Sequence, residues 1–305
     1  MTIQSLDSPR PAQTPLERDV FCMGTRLRIH LEGDGRPGLL AASNRILGEL
    51  ERIEAACSTW RPDSLWSRLN RAGGAAVAIE PEWMQLLLSA QDWRRRTRGA
   101  FDPALAALLA AWGVREGGRT PSAAALAQAR QASGGALLVL DPVAGTARFE
   151  HPAAGLEEGG FVKGYALDAA RAVAGPGCGW LDFGGQLLAW GAPLAAAIAA
   201  PEDRRRPRLR LLLAAGASLS CSGCSERGRH LLDPRTGRPS PDWGLVAVVA
   251  ASGLEAEALS TALYIEGPEA GLALARELGA AAAFLGRDGG FAATPAFQAL
   301  APRPC

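Results

Sequence analysis

Several short stretches of this chain bring together side chains able to do chemistry. The first is His230-Leu231-Leu232-Asp233-Pro234-Arg235-Thr236-Gly237-Arg238-Pro239, which holds an imidazole, a carboxylate, a guanidinium and a hydroxyl in one segment. Its Asp-Pro and Thr-Gly pairs are turn chemistry, since proline presets one dihedral and glycine tolerates positive φ. Such a loop either aims polar groups at one point or is a plain surface turn with an exposed histidine. The second is Glu157-Glu158-Gly159-Gly160-Phe161-Val162-Lys163-Gly164. Its glycines let backbone approach a ligand closely, and Lys163 offers a point charge suited to phosphate. The spacing fits neither a Walker loop nor the dinucleotide fingerprint. The third is the pair Glu257 and Thr261, one turn apart in a predicted helix and therefore on one face. A carboxylate and a hydroxyl are oxygen donors of the kind a hard divalent cation takes, or simply two residues of an ordinary helix. Cys221 and Cys224 have the spacing of a redox or half-zinc motif, but no second Cys or His pair completes it, so they read as free thiols.

These groups need elements to hold them. Leu27, Ile29 and Leu31 alternate with Arg28 and His30, the period-2 pattern of a half-buried strand with His30 facing solvent. Helical spacing predicts helices over 37–56 and 81–98, a short one capped by Ser64, an Ala/Leu-rich one ending at Trp112 and another over 121–131. Short strands are expected at 137–140 and 146–149, then a helix beginning beside Lys163 and ending near Val173. Further strands are expected at 180–183 (ending in the paired glycines Gly184-Gly185), 194–200, 209–213, 245–250 and 281–285. Helices over 253–265 and 268–278 separate the last two. Strands and helices mixed in this order, without a fixed-period repeat, predict an α+β fold.

At 305 residues with a formal net charge of +1, the chain has room for a sizeable core and lacks the basic excess of a nucleic-acid binder. No apolar run reaches the roughly 18 residues of a membrane span. The segment through Asp19 is polar and Pro-rich, without an apolar signal core; it reads as a disordered leader (1–19) before one domain over 20–300. A cytoplasmic location is therefore expected.

Taken in order, Met23-Gly24-Thr25, Ser58-Thr59-Trp60-Arg61-Pro62-Asp63-Ser64 with Leu69-Asn70, and Gly99-Ala100-Phe101-Asp102-Pro103 are followed by the Gly159–Ala166 segment. Phe183-Gly184-Gly185, the His230–Gly237 segment and Glu257-Ala258-Leu259-Ser260-Thr261-Ala262-Leu263 complete the set. This ordered set resembles the ApbE family, the FAD:protein FMN transferases, from about Phe21 to Leu278. The resemblance implies a T-fold-like α+β architecture with FAD in a cleft between lobes and Mg²⁺ on the FAD pyrophosphate. It implies transfer of the FMN half of FAD to a threonine hydroxyl of an acceptor protein, with release of AMP. Carried onto this chain, the metal ligands are Glu257, Thr261 and the Gly160 carbonyl. The flavin lies near Met23 and Trp60, and Ala100, Phe101, Asp102, Glu157, Lys163 and Leu231 line the nucleotide. His230 is the proton acceptor and Lys163 neutralises phosphate charge. Two alternatives share these residues: an FAD pyrophosphatase giving FMN and AMP, and a non-catalytic FAD-binding protein with drifted metal ligands. The chain departs from the family pattern at Glu257, where Asp is usual, and at Glu157-Glu158, Gln186 and Trp60. Many relatives are exported, yet no export signal is seen here.

Overall fold

This computed structural model describes residues 14–33, 35–203, 205–223 and 231–304. The chain begins with β1 (Leu16–Cys22) and β2 (Thr25–Glu32), joined at Met23 and Gly24. α1 (Arg36–Cys57), α2 (Leu65–Arg71), β3 (Val77–Ala78) and α3 (Pro81–Arg96) follow, then α4 (Ala106–Ala111), α5 (Ala123–Gln131), β4 (Leu138–Asp141) and β5 (Thr146–Phe149). Next come α6 (Val162–Ala174), β6 (Cys178–Phe183), β7 (Gln186–Trp190), β8 (Leu194–Ala199), β9 (Pro207–Leu213) and β10 (Ser218–Gly223). The small hairpin β11 (Leu232–Asp233) and β12 (Arg238–Pro239) leads to β13 (Gly244–Ala250) and α7 (Gly253–Glu277). β14 (Ala281–Gly286), β15 (Phe291–Ala293), α8 (Pro295–Gln298) and β16 (Arg303–Pro304) close the chain.

Local chemistry sets many of these boundaries. Ser64 Oγ accepts the Ser67 N–H at 3.0 Å and starts α2, and Ser122 and Ser252 cap α5 and α7 in the same way. α3 stops at Arg96, short of the expected 98, because Arg98 and Gly99 take φ of 54° and 78°. α7 is broken at Gly267 (φ 79°), directly before Pro268, which is where two separate helices were expected.

Eight strands form an antiparallel sheet in the order β1-β2-β6-β7-β10-β13-β14-β15. Because side chains alternate between faces, Ile29, Leu181, Phe183, Leu188, Val246 and Val248 enter the large core against α1, α6 and α7. Their neighbours Leu187, Ala189, Leu219, Ala247 and Leu285 enter a second core, closed by Ile198, Leu209 and Leu211 of the β16-β9-β8 sheet. A third, small core of Leu108, Ala129 and Leu232 ties the β11–β12 hairpin to α4 and α5. The architecture is α+β, as the sequence predicts.

The fold also differs from expectation. β7 and β10, central in the large sheet, were not expected as strands: Ser218-Leu219-Ser220-Cys221-Ser222-Gly223 shows no strong β pattern, and pairing with β7 and β13 makes it a strand. His30 does not face solvent; its side chain is 13% exposed, stacked on Trp180 at 5.1 Å and held between Glu17 and Glu32. The cause is β6, which pairs with β2 and sets Trp180 directly opposite His30. The expected leader is cut short, since Leu16 is buried and β1 covers Leu16–Asp19; beyond 300, Arg303 and Pro304 pair with β9. Among the described residues no helix is long and apolar enough to cross a membrane.

Candidate functional site

The amino ends of α6 and α7 meet at the centre of the site. Gly164 and Gly253 let the two backbones touch: a methyl group on Gly164 would lie 2.2 Å from the Gly253 carbonyl oxygen. Asp168 of α6 locks the contact, its carboxylate accepting the Gly253 and Leu254 N–H groups at 2.7 and 3.1 Å. Burial nevertheless pushes the Asp168 carboxyl above its ordinary pKa, with those two bonds pulling the other way. Gln186, just after Gly184-Gly185, donates from Nε2 to the Gly253 carbonyl at 2.7 Å.

This docking sets Lys163, in the first turn of α6, against Glu257, in the second turn of α7. The Lys163 ammonium donates to Glu257 Oε1, and the Gly164 N–H donates to Oε2 at 2.7 Å. Glu257 is 4% exposed, so its charge is held by these donors rather than by water. Thr261 lies one turn further along the same face. A methyl group at Gly160, whose φ is +92°, would sit 3.4 Å from Thr261 Oγ1, so the Gly160 backbone passes close to that hydroxyl.

In front of these groups lies a cavity of about 860 Å³, at the large end of the range for small-molecule sites. Met23, Trp60, Ala100, Phe101, Asp102, Glu157, Gly160, Lys163, Leu231, Glu257 and Thr261 all line it. Every site residue expected from the sequence is thus on one wall or another, except His230, which lies outside the described residues. Met23 supplies the tip of the β1–β2 hairpin at φ 47°, a conformation rare for a residue with a side chain. Asp102 lines the cavity, but its carboxylate turns into the protein. It accepts from Arg94 Nε at 2.6 Å, Ala104 N at 2.8 Å and Gly135 N at 2.8 Å, and so holds the Ala100–Phe101 wall in shape.

Sequence reasoning missed Arg115. From the loop between α4 and α5 its guanidinium reaches Glu157 at 2.7 Å and lies 4.3 Å over the Trp60 ring. The nearby glycines Gly113, Gly117 and Gly118 were the only signal, and nothing local points to partners so distant in sequence.

Among the described residues, the lining acids Glu54, Glu157, Glu158 and Glu257 face two lining cations, Lys163 and Arg115, while Asp102 is paired with Arg94. The Glu257 carboxylate, Thr261 hydroxyl and Gly160 carbonyl are all hard oxygen donors, a set suited to Mg²⁺ that keeps phosphate and water among its ligands. Among the described residues no cluster of three or more His, Cys, Asp or Glu offers another metal site. Burial pushes the Cys22 thiol up to about 12 and raises the Cys57 thiol as well, which disfavours both as metal ligands. Cys221 lines the cavity, and Cys224 lies outside the described residues.

Comparison with known proteins bears on the family and the fold. The model of the ApbE family matches residues 23–285. The FAD:protein FMN transferase of Rhodobacter capsulatus is 29% identical over 97% of this chain, which spans 60% of that protein's length. The protein of the same name from Klebsiella pneumoniae (strain 342) is 26% identical, with 92% of this chain and 86% of that protein covered. The apo structure of the flavinyl transferase ApbE from Pseudomonas stutzeri matches with a TM-score of 0.83 at 30% identity, covering 94% of this chain and 96% of that one. The ApbE protein of Thermotoga maritima shares the fold with a TM-score of 0.86 at 24% identity, over 94% and 99% of the two chains.

Proposed function

Because the chain belongs to the ApbE family, we propose that it is an FAD:protein FMN transferase that needs Mg²⁺, modifies a threonine hydroxyl of an acceptor protein and releases AMP. In that reaction the threonine oxygen forms a bond to the FMN phosphorus. The bridging P–O bond breaks, AMP leaves with its electron pair, and the hydroxyl proton passes to a base. The observation that carries the reading is the joining of Lys163 and Glu257 at the α6–α7 contact, beside Gly160 and Thr261, in one wall of a dinucleotide-sized cavity.

Each residue then has a task. Lys163 brings a positive charge from the amino end of a helix, where backbone N–H groups also favour phosphate. Ala100, Phe101, Glu157 and Leu231 shape the wall on which the nucleotide rests, and Met23 and Trp60 border the flavin. His230 is the side chain of the right type to take the threonine proton near neutral pH. Held by Glu257, Thr261 and the Gly160 carbonyl, Mg²⁺ would neutralise charge on the pyrophosphate, which the acid-rich lining cannot do by itself.

Incubation with FAD and Mg²⁺, with and without a threonine-bearing acceptor, tests the proposal. Acceptor-dependent AMP release with flavin retained on the denatured acceptor is the expected result. AMP with free FMN alone, whatever acceptor is present, turns the reading to an FAD pyrophosphatase.

A further inference from the structure

We propose that Arg115 is a positioning residue: it pins Trp60 so that the free face of the indole receives the flat heteroaromatic ring of a bound dinucleotide. The inference rests on the reading of the cavity as an FAD site. Trp60 lines that cavity and is 66% exposed, a costly state for an indole in water unless something covers it in use. One of its faces is already taken, with the Arg115 guanidinium carbon 4.3 Å from the ring centroid.

The same guanidinium joins two segments far apart in sequence. One nitrogen lies 2.9 and 2.7 Å from the two Glu157 carboxylate oxygens and also donates to the Thr59 hydroxyl, one residue before Trp60. Glu158 completes the link by accepting the Thr59 N–H at 3.2 Å. A planar fork of several donors can stack on an indole and bind a carboxylate at once, whereas an ammonium offers a point charge and no plane. The loop that carries Arg115 is closed on itself. Glu116 N–H and Gly118 N–H both donate to the Gly113 carbonyl, and Arg119 N–H donates to the Trp112 carbonyl at 2.8 Å. Trp112 in turn donates from its indole to the Gly237 carbonyl at 2.7 Å, fixing the loop to the β11–β12 hairpin. Arg115 is therefore held in place before any ligand arrives, and Trp60 with it. The competing account is a half-exposed ion pair of little consequence.

A double-mutant cycle on FAD binding separates the two accounts. Flavin fluorescence titration is carried out with the wild type, Arg115→Ala, Arg115→Lys, Trp60→Leu and the Arg115→Ala/Trp60→Leu double variant, each first shown to melt cooperatively. Arg115→Ala and Trp60→Leu should each weaken FAD binding about tenfold, within the range of a desolvated cation–π pair and a stacking face. The double variant should bind no more than about twofold worse than the weaker single, because both changes remove one unit. Arg115→Lys should stay close to Arg115→Ala. If Arg115→Ala binds FAD like the wild type, or if the two losses multiply in the double variant, Arg115 does not act through Trp60 and the inference fails alone. A wild type that binds no FAD sinks the FAD reading and this inference with it.

Discussion

At the scale of single residues, the site is centred on the Glu257–Lys163 pair. A buried carboxylate that holds both an ammonium and a backbone N–H is well placed, and a divalent cation on it must compete with Lys163. The two residues therefore have separable roles. Glu257→Gln should bind FAD in EDTA about as the wild type does, but lose the gain in affinity that Mg²⁺ brings. Lys163→Ala should bind FAD several-fold more weakly in EDTA as well, because a phosphate-facing charge is gone. Equilibrium titration in both media checks this, and identical responses from all three proteins would remove Glu257 as a metal ligand. The sequence exposes the types of these residues and the one-turn spacing of Glu257 and Thr261. It does not expose why Glu replaces the more usual Asp. The extra methylene lets one carboxylate meet both Lys163 and Gly164 across the gap between two helices, and that gap exists only in the folded chain.

At the scale of elements, the site depends on how closely α6 and α7 approach. Gly164→Ala would put a methyl group 2.2 Å from a backbone carbonyl, where no flexible side chain is available to yield. The helices must part, at a cost of about 1–3 kcal/mol or more. A lowered urea midpoint together with weakened FAD binding is expected; an unchanged midpoint would show that the contact is looser than the geometry requires. A second junction joins three helices: Arg52 of α1 and Tyr165 of α6 both bond to Glu82 of α3. The Arg52 hydrogen bond holds the Glu82 carboxyl below its ordinary value of 4.5, with burial opposing. The folded state thus prefers ionised Glu82. Its stabilisation is complete above the ordinary carboxylate pKa and is lost as pH falls through the lower folded value. Between pH 7 and pH 4 the wild type should lose more stability than Glu82→Gln, as read from urea midpoints at both values; equal losses would contradict the assignment. Most of these elements are legible because amphipathic spacing and caps are local: α1, α3, the break in α7 at Gly267 and β13 all follow from nearby residues. β7 and β10 are not, because their strand character comes from neighbours brought in from elsewhere in the chain. His30 is misread for the same reason, since its partner Trp180 arrives with β6.

At the scale of the whole molecule, three cores surround one cavity, and residues from Met23 to Ile265 converge on its walls. Motif order announces which residues converge; it does not announce the acid-rich balance of the lining, which only the assembled walls reveal. Among the described residues the cavity is lined by Glu54, Asp102, Glu157, Glu158 and Glu257 against Lys163 and Arg115, so the proposed cleavage of a pyrophosphate there is expected to need Mg²⁺. The most direct measurement is therefore AMP formation from FAD by the purified full chain, followed by chromatography with a threonine-bearing acceptor present, in Mg²⁺ and in EDTA. The proposed reaction predicts AMP in Mg²⁺ only, matched one for one by flavin that stays on the denatured acceptor. FAD recovered intact in both media, with acceptor present, would contradict it.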